Sequence, residues 1–207
     1  DPRAARAWFR LVSPAYDALA GTAIWTPSIQ EAAVARLDLD PGDRVLDVGC
    51  GTGATTLALR RRTPTVDAVD LSRSQLDRIQ RHAGLADVGF ALADAERLPY
   101  RDECFDAVTS IGAVLYWPTP EPALAEAFRV TRPGGRLLLA GFNRRPLATN
   151  PIAATAAAWF DVAFTTYDAR TASVLCRTVG YHEIETRITG PSWHPTLVVE
   201  TGARKPR

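Results

Sequence analysis

Methionine is missing from all 207 residues, lysine occurs once, at Lys205, and histidine and cysteine occur three times each. Each scarcity excludes something. Cys50, Cys104 and Cys176 have no metal-ligand spacing and leave an odd thiol over, which argues against a zinc site or a disulfide framework and for reduced thiols in a cytoplasm. No metal is expected. Neither sign of charge is in excess: 24 basic against 23 acidic side chains give a net charge of +1, so the electrostatic footprint of a nucleic-acid binder is lacking. No apolar run approaches the ~20 residues of a membrane span. The absence of methionine even at position 1 implies a processed or engineered N-terminus and leaves a targeting segment ahead of it open. With no second block of composition, the length suits one domain with a sizeable core.

What the chain does have is a glycine-punctuated stretch from Arg44 to Gly53, Arg-Val-Leu-Asp-Val-Gly-Cys-Gly-Thr-Gly. A short apolar run reads as a buried strand. The residues from Ala54 to Arg62 read as a helix, so the unit is strand, tight loop, helix. Gly49, Gly51 and Gly53 allow positive φ and close approach of a ligand, and Asp47 sets a carboxylate at the strand's carboxyl end. A dinucleotide fingerprint would read G-x-G-x-x-G and a phosphate-binding P-loop would end in Lys-Ser or Lys-Thr; neither matches. The bland alternative is a merely structural strand-to-helix turn.

Ahead of the loop, residues 3 to 12 carry Ala7, Trp8, Leu11 and Val12 on one side of an expected helix that Ser13-Pro14 ends. Tyr16 and Trp25 follow, either as core packing or as part of a lid over the ligand edge. Thr26 or Ser28 caps a helix with Ile29, Ala32, Ala33 and Leu37 on its buried face, and Glu31 would complete a capping box from Ser28. Beyond the loop, Thr65 to Asp70 reads as a second strand ending in an acid. Ser72 caps a helix with a stripe of Leu76, Ile79 and Ala83. Further strands are expected at 89–93, 104–110 and 136–141, and a helix at 122–130. An Ala-rich helical segment spans 143–166, another helix 168–179, and two last strands 183–188 and 196–200. The nearly continuous apolar runs indicate strands buried on both faces, hence a parallel sheet flanked by helices. An acid at the end of the second strand, such as Asp70, can accept both hydroxyls of a ribose.

Taken together, the glycine loop, Asp70, Asp94, the strand ending at Ser110 and the Arg132-Pro133-Gly134-Gly135 turn closely resemble class I S-adenosylmethionine-dependent methyltransferases of type 11. The resemblance runs over residues 43 to 141. It implies an α/β, Rossmann-like, seven-stranded and mostly parallel sheet with helices on both faces and an N-terminal helical lid. The single domain would divide into a lid (1–42), a cofactor-binding core (43–141) and substrate-side helices with the last two strands (142–207). The implied cofactor is S-adenosyl-L-methionine. Asp47 would lie near its amino group, with Gly49, Cys50, Gly51 and Gly53 packed against the methionine part. Asp70 would hold the ribose and Leu71 the adenine face. Asp94 would bond the adenine amino group and Ala95 a ring nitrogen, and Ser110 and Ile111 would flank the transferring methyl.

A narrower similarity rests on Val12-Ser13-Pro14-Ala15-Tyr16-Asp17, Trp25-Thr26, Ser110-Ile111-Gly112, Tyr116-Trp117-Pro118 and Gly190-Pro191-Ser192-Trp193. These resemble the methylphytylbenzoquinol/methylsolanesylbenzoquinol methyltransferases and, more distantly, the ubiquinone and menaquinone ring C-methyltransferases of quinone biosynthesis. The implied acceptor is a small, hydrophobic, aromatic molecule such as a prenylated quinol, methylated on a ring carbon. Trp25, Tyr116, Trp117 and Trp193 would contact it. Removing a hydroxyl proton raises the nucleophilicity of such a ring, so a base is expected nearby: His194 first, Tyr16 as orienting group, His182 and His82 after them. Pro146 to Tyr167 has no match in that family, and no C-terminal anchor follows Thr201. An O- or N-methyltransferase of another small metabolite is the alternative, and a non-catalytic binding subunit of the same fold is the alternative from another class. The expected setting is cytoplasmic, with peripheral membrane contact left open, and the expected state a monomer or homodimer.

Overall fold

The computed structural model describes residues 25–117, 119–143, 168–190 and 198–207. The expected helix at 3–12, Tyr16, the Ala-rich segment with Trp159, Phe160 and Phe164, and the loop bearing Trp193 and His194 lie outside them. Five strands follow from the apolar runs: β1 (Arg44–Val48), β2 (Thr65–Asp70), β3 (Gly89–Leu92), β4 (Phe105–Ile111) and β5 (Thr131–Phe142). Two more, β6 (His182–Thr189) and β7 (Val198–Arg204), complete a seven-stranded sheet in the order β3-β2-β1-β4-β5-β7-β6. The first five strands run parallel, and β7 is antiparallel to both β5 and β6. All carboxyl ends of β1 to β5 therefore face one edge, which is where open α/β sheets bind ligands.

Helices α1 (Pro27–Ala35), α2 (Ala54–Arg60) and α3 (Arg73–Ile79) cover one face of the sheet. Helices α4 (Pro120–Val130) and α5 (Ala169–Thr178) cover the other. Alternation along the strands divides their side chains between the two cores. Val45, Ala107 and Leu138 pack on the α1–α3 side, and Leu46, Val108 and Leu139 on the α4–α5 side. Both faces are buried, so the strands read as apolar runs rather than as alternating ones.

Local signals hold in several places. The Ser72 hydroxyl accepts the Gln75 N–H and so caps α3, Asp168 does the same for α5 from Thr171, and Gly180 leaves α5 at φ +106°. Elsewhere the structure corrects the expectation. Thr26 is the N-cap of α1, its hydroxyl lies 3.0 Å from that of Ser28, and no capping box forms. Glu31 instead pairs with Arg61, the C-cap of α2. Ala32 is exposed, and the buried stripe of α1 is Ile29, Gln30, Ala33 and Val34. Ala83 is exposed in a short 3-10 turn, where Leu85 takes the buried place. The Arg132–Gly135 segment belongs to β5 rather than preceding it: Thr131 pairs with Phe105, after which the register slips before Ala107 meets Arg136. A bulge there absorbs the tight bend, with Gly134 at φ +77°. β7 runs on to Arg204, beyond the expected stretch at 196–200.

Candidate functional site

The loop after β1 is pinned by its own backbone. The N–H groups of Gly49 and Cys50 both donate to the Val69 carbonyl, at 2.8 and 3.0 Å, and Gly53 N–H closes back on Cys50 O at 2.8 Å. Its three glycines all have positive φ, and they differ in what surrounds them. A Cβ at Gly49 would fall 2.1 Å from that of Ala113, and one at Gly53 would fall 2.5 Å from the Ile79 side chain. At Gly51 a Cβ would meet nothing within 4 Å. Gly49 and Gly53 are therefore packed against protein, whereas Gly51 borders open space, as a backbone cradle for a ligand should.

Two carboxylates flank the loop. Asp70, at the end of β2, accepts the Gly51 N–H and the Ser72 N–H, each at 2.8 Å and each on a different oxygen. It thus fixes the loop and the start of α3 together. Each oxygen keeps a lone pair for a further donor, and the side chain, though mostly buried, is not sealed from solvent. Burial pushes the Asp70 carboxyl above its ordinary value, and the backbone N–H bonds pull it back. Asp47 is different: it is 1% exposed and accepts the Thr56 hydroxyl at 2.7 Å. Burial lifts it from 3.8 to about 7, the Thr56 bond lowers it and the charge on Asp70 raises it. Burial pushes the Cys50 thiol up, the neighbouring Asp47 and Asp70 carboxyls add to it, and the thiol is kept unreactive.

Along the same edge, Leu71 is 60% exposed and Leu92, at the end of β3 beside Asp70, is 46% exposed. Two large apolar side chains in water next to a carboxylate suit the face of a flat ring. The Asp94 carboxylate accepts the Glu96 N–H at 3.1 Å, and Ala95 is half-buried in the same turn. At the end of β4, Ser110 and Ile111 are buried, and the Ser110 hydroxyl has no partner. These features fit a nucleoside with an aminoacyl-like tail. Leu92, Thr56, Gln30 and Thr55 were not singled out from sequence. Gln30 did carry a signal, as a polar residue inside an apolar helical stripe.

The aromatic candidates separate. Trp25 is buried, stacks on Phe142 with centroids 5.8 Å apart and lies against Gly112. Tyr116 is half-buried at the rim of the α1–α3 core, and Trp117 is packed into the α4–α5 core. Tyr16, Trp193 and His194 are outside the described residues. His82 caps the 3-10 turn by accepting the Gly84 N–H. His182 pairs in register with Arg204 at the amino edge of the sheet, opposite the site. Among the described residues no cluster of His, Cys, Asp and Glu is placed to hold a metal.

Residues 46–139 match the family model described as a methyltransferase domain. Over these residues the chain is similar to S-adenosylmethionine-dependent methyltransferase domains. The domain is similar to methyltransferase GfsG of Streptomyces halstedii, with 46% identity over 111 residues that cover 51% of this chain and 40% of that protein. It is also similar to 2-methyl-6-phytyl-1,4-hydroquinone methyltransferase 1, chloroplastic, of Oryza sativa subsp. japonica. There the identity is 36% over 138 residues, covering 65% of this chain and 42% of that one. The chain thus spans about two fifths of the length of these relatives. Among solved structures, the methyltransferase fold matches Haemonchus contortus phosphoethanolamine N-methyltransferase 2 in complex with S-adenosyl-L-methionine. The TM-score is 0.79 at 16% identity, covering 93% of this chain and 56% of that one.

Proposed function

We propose that this protein binds S-adenosyl-L-methionine along the edge formed by β1 to β4 and transfers its methyl group to a small, hydrophobic, oxygen-bearing aromatic acceptor, with a prenylated quinol as the reading of choice. The whole chain, 1–207, would act as one domain. The observation that carries the cofactor half is the pairing of open space at Gly51 with a partly buried Asp70 whose two oxygens are already held in place. The acceptor half is supported by the likeness to the rice hydroquinone methyltransferase and by Trp25 and Tyr116 near the end of β4; Trp193 is a candidate from the sequence, and Trp117 is packed into the α4–α5 core.

In this reading Asp70 accepts the ribose hydroxyls, Leu71 and Leu92 sandwich the adenine rim, and Asp94 and Ala95 read its polar edge. Gly49, Cys50, Gly51 and Gly53 line the methionine part, with Asp47 beneath them. The bound cofactor supplies an electrophilic methyl on a sulfonium sulfur. What remains for the protein is to exclude water and align the acceptor, which can remove several kcal/mol of barrier. Ser110 and Ile111 border that space. His194 would take the acceptor's hydroxyl proton on an imidazole nitrogen, raising the electron density of the ring, and Tyr16 would orient the same hydroxyl.

Titration calorimetry with S-adenosylmethionine and S-adenosylhomocysteine tests the cofactor half. Asp70→Ala should weaken binding at least tenfold, since hydrogen bonds to a charged group contribute about 1.5–3 kcal/mol. No binding by the wild type would favour a non-catalytic subunit of the same fold. Labelled cofactor offered with reduced quinols, phenols, aliphatic alcohols and amines tests the acceptor half, and activity confined to amines would sink the quinol reading.

A further inference from the structure

Three buried polar atoms at the carboxyl end of β4 have no hydrogen-bond partner: Thr109 Oγ1, Ser110 Oγ and, packed against the residues that follow them, Trp25 Nε1. A buried, unpaired donor destabilises a fold, and natural proteins retain few of them. Trp25 is also held with unusual care. Its backbone carbonyl accepts from Gln30 Nε2 at 2.7 Å, and Gln30 Oε1 accepts the Thr55 hydroxyl at 2.8 Å. Gln30 and Thr55 are both buried, and Thr55 lies two residues past Gly53 in the first turn of α2. The indole ring itself is fixed between Phe142 and Gly112, where a Cβ on Gly112 would lie 3.1–3.2 Å from ring atoms, Nε1 among them. Gly112, at φ +79°, is glycine partly so that this ring can occupy the space. The chain thus ties the Trp25 backbone to the first turn of α2, just past the glycine loop, and leaves the ring's only polar atom unpaired.

We propose that the Trp25 indole N–H donates a hydrogen bond to an oxygen of the methyl acceptor and so selects oxygen-bearing acceptors over amines; this rests on the methyltransferase reading above. The position favours the acceptor over the cofactor. Asp70 and the glycine loop stand at the ends of β2 and β1, whereas Trp25 packs over the ends of β4 and β5, across β1 from Asp70 in the sheet order. The chemistry fixes the class. An indole N–H donates and never accepts, so it is satisfied by a hydroxyl, phenolate or carbonyl oxygen and repels a protonated amine. A site built around one such donor rejects analogues that cannot accept from it.

Trp25→Phe keeps a ring against Phe142 and Gly112, replaces the bicyclic indole by a smaller phenyl ring and removes the N–H. With 2-methyl-6-geranyl-1,4-benzoquinol as probe, kcat/KM should fall about tenfold or more, the worth of one hydrogen bond. Affinity for S-adenosylhomocysteine should stay within about twofold, and the ligand-free protein should melt no lower than wild type because the unpaired donor is gone. Unchanged kcat/KM overturns the proposal, and so does a loss confined to S-adenosylhomocysteine affinity, which would assign the N–H to the cofactor. In wild-type protein labelled with 15N-tryptophan and saturated with S-adenosylhomocysteine, one of the five indole N–H resonances should move downfield when the quinol is added; if none moves, the proposal fails without recourse to a variant. Should the wild type methylate an aliphatic alcohol and not the quinol, the quinol reading falls and the Trp25→Phe loss is read on that alcohol. Methylation of amines alone overturns both.

Discussion

A carboxyl group sealed beneath the glycine loop, accepting the Thr56 hydroxyl, is the strongest electrostatic commitment in the site. Burial places the Asp47 titration near 7, against an ordinary value of 3.8. The folded protein therefore holds this proton over a pH range in which the unfolded chain has lost it. The contribution of Asp47 to stability is full below about 3.8 and is lost as pH rises through about 7. Asp47→Asn keeps the shape and removes the titration. In urea melts the wild type should lose more stability than Asp47→Asn between pH 4.5 and 7.5, and parallel losses would refute the assignment. Binding has the opposite sense. A cationic amino group over the loop is favoured by the ionised carboxylate, so wild-type affinity for S-adenosylmethionine should rise from pH 6 to pH 8, whereas Asp47→Asn should bind weakly and with little dependence on pH.

Between β3 and β4 the chain from Ala93 to Cys104 forms no helix, and its order comes from α4. Glu126 accepts the Leu98 N–H at 2.8 Å, and Arg129 donates to the Leu98 and Tyr100 carbonyls, to Asp102 and back to Glu126. Arg129 holds Glu126 below the usual carboxylate range, although the exposed Asp102 end of the network is screened by solvent. Arg129→Met should speed amide exchange at Leu98 to Asp102 and cost about 1–3 kcal/mol, with β4 amides unaffected; unchanged exchange would show that the loop is held by something else. None of this was legible in the sequence, because Leu98 and Arg129 are 31 positions apart and neither residue type announces the other. The strands, the glycine loop and the Ser72 cap were legible because their information is local: an apolar run, a turn chemistry, a hydroxyl three residues before a free N–H. Where two local signals competed, tertiary contacts decided. Glu31 left the expected capping box for Arg61, and Gly134–Gly135 made a bulge inside β5 rather than a turn before it. Asp70 was legible as an acid at the carboxyl end of β2. Its work in holding Gly51 and Ser72 was not, since that depends on the loop folding back over β2.

The molecule as a whole has a ligand edge and an opposite edge, and the sole lysine sits at the second. Lys205 follows β7 and is 8% exposed. Its ammonium donates to the carbonyls of Thr131 and Phe128 at 2.8 and 3.0 Å, lies 3.3 Å from Glu103 and stands 4.6 Å over the Phe128 ring. Its backbone N–H donates to Gly135 and its carbonyl accepts from Gly134, so the last strand is stapled to the bulge at the start of β5. An arginine, the basic residue used almost everywhere else in this chain, is a planar fork and would match this compact site poorly; a point charge on a flexible stem reaches two carbonyls and a ring face together. Lys205→Met keeps the stem and strands two buried carbonyls. It should cost about 2–3 kcal/mol and lower the melting temperature by about 5–10 °C for a chain of this length. Because the staple is at the amino edge, across the sheet from Asp70 and Gly51, affinity for S-adenosylhomocysteine at a temperature where the variant is folded should equal that of wild type. A variant that melts with wild type, or one that keeps its stability and loses the cofactor, would show that the two edges of this sheet are not the separate structural and binding edges described for it.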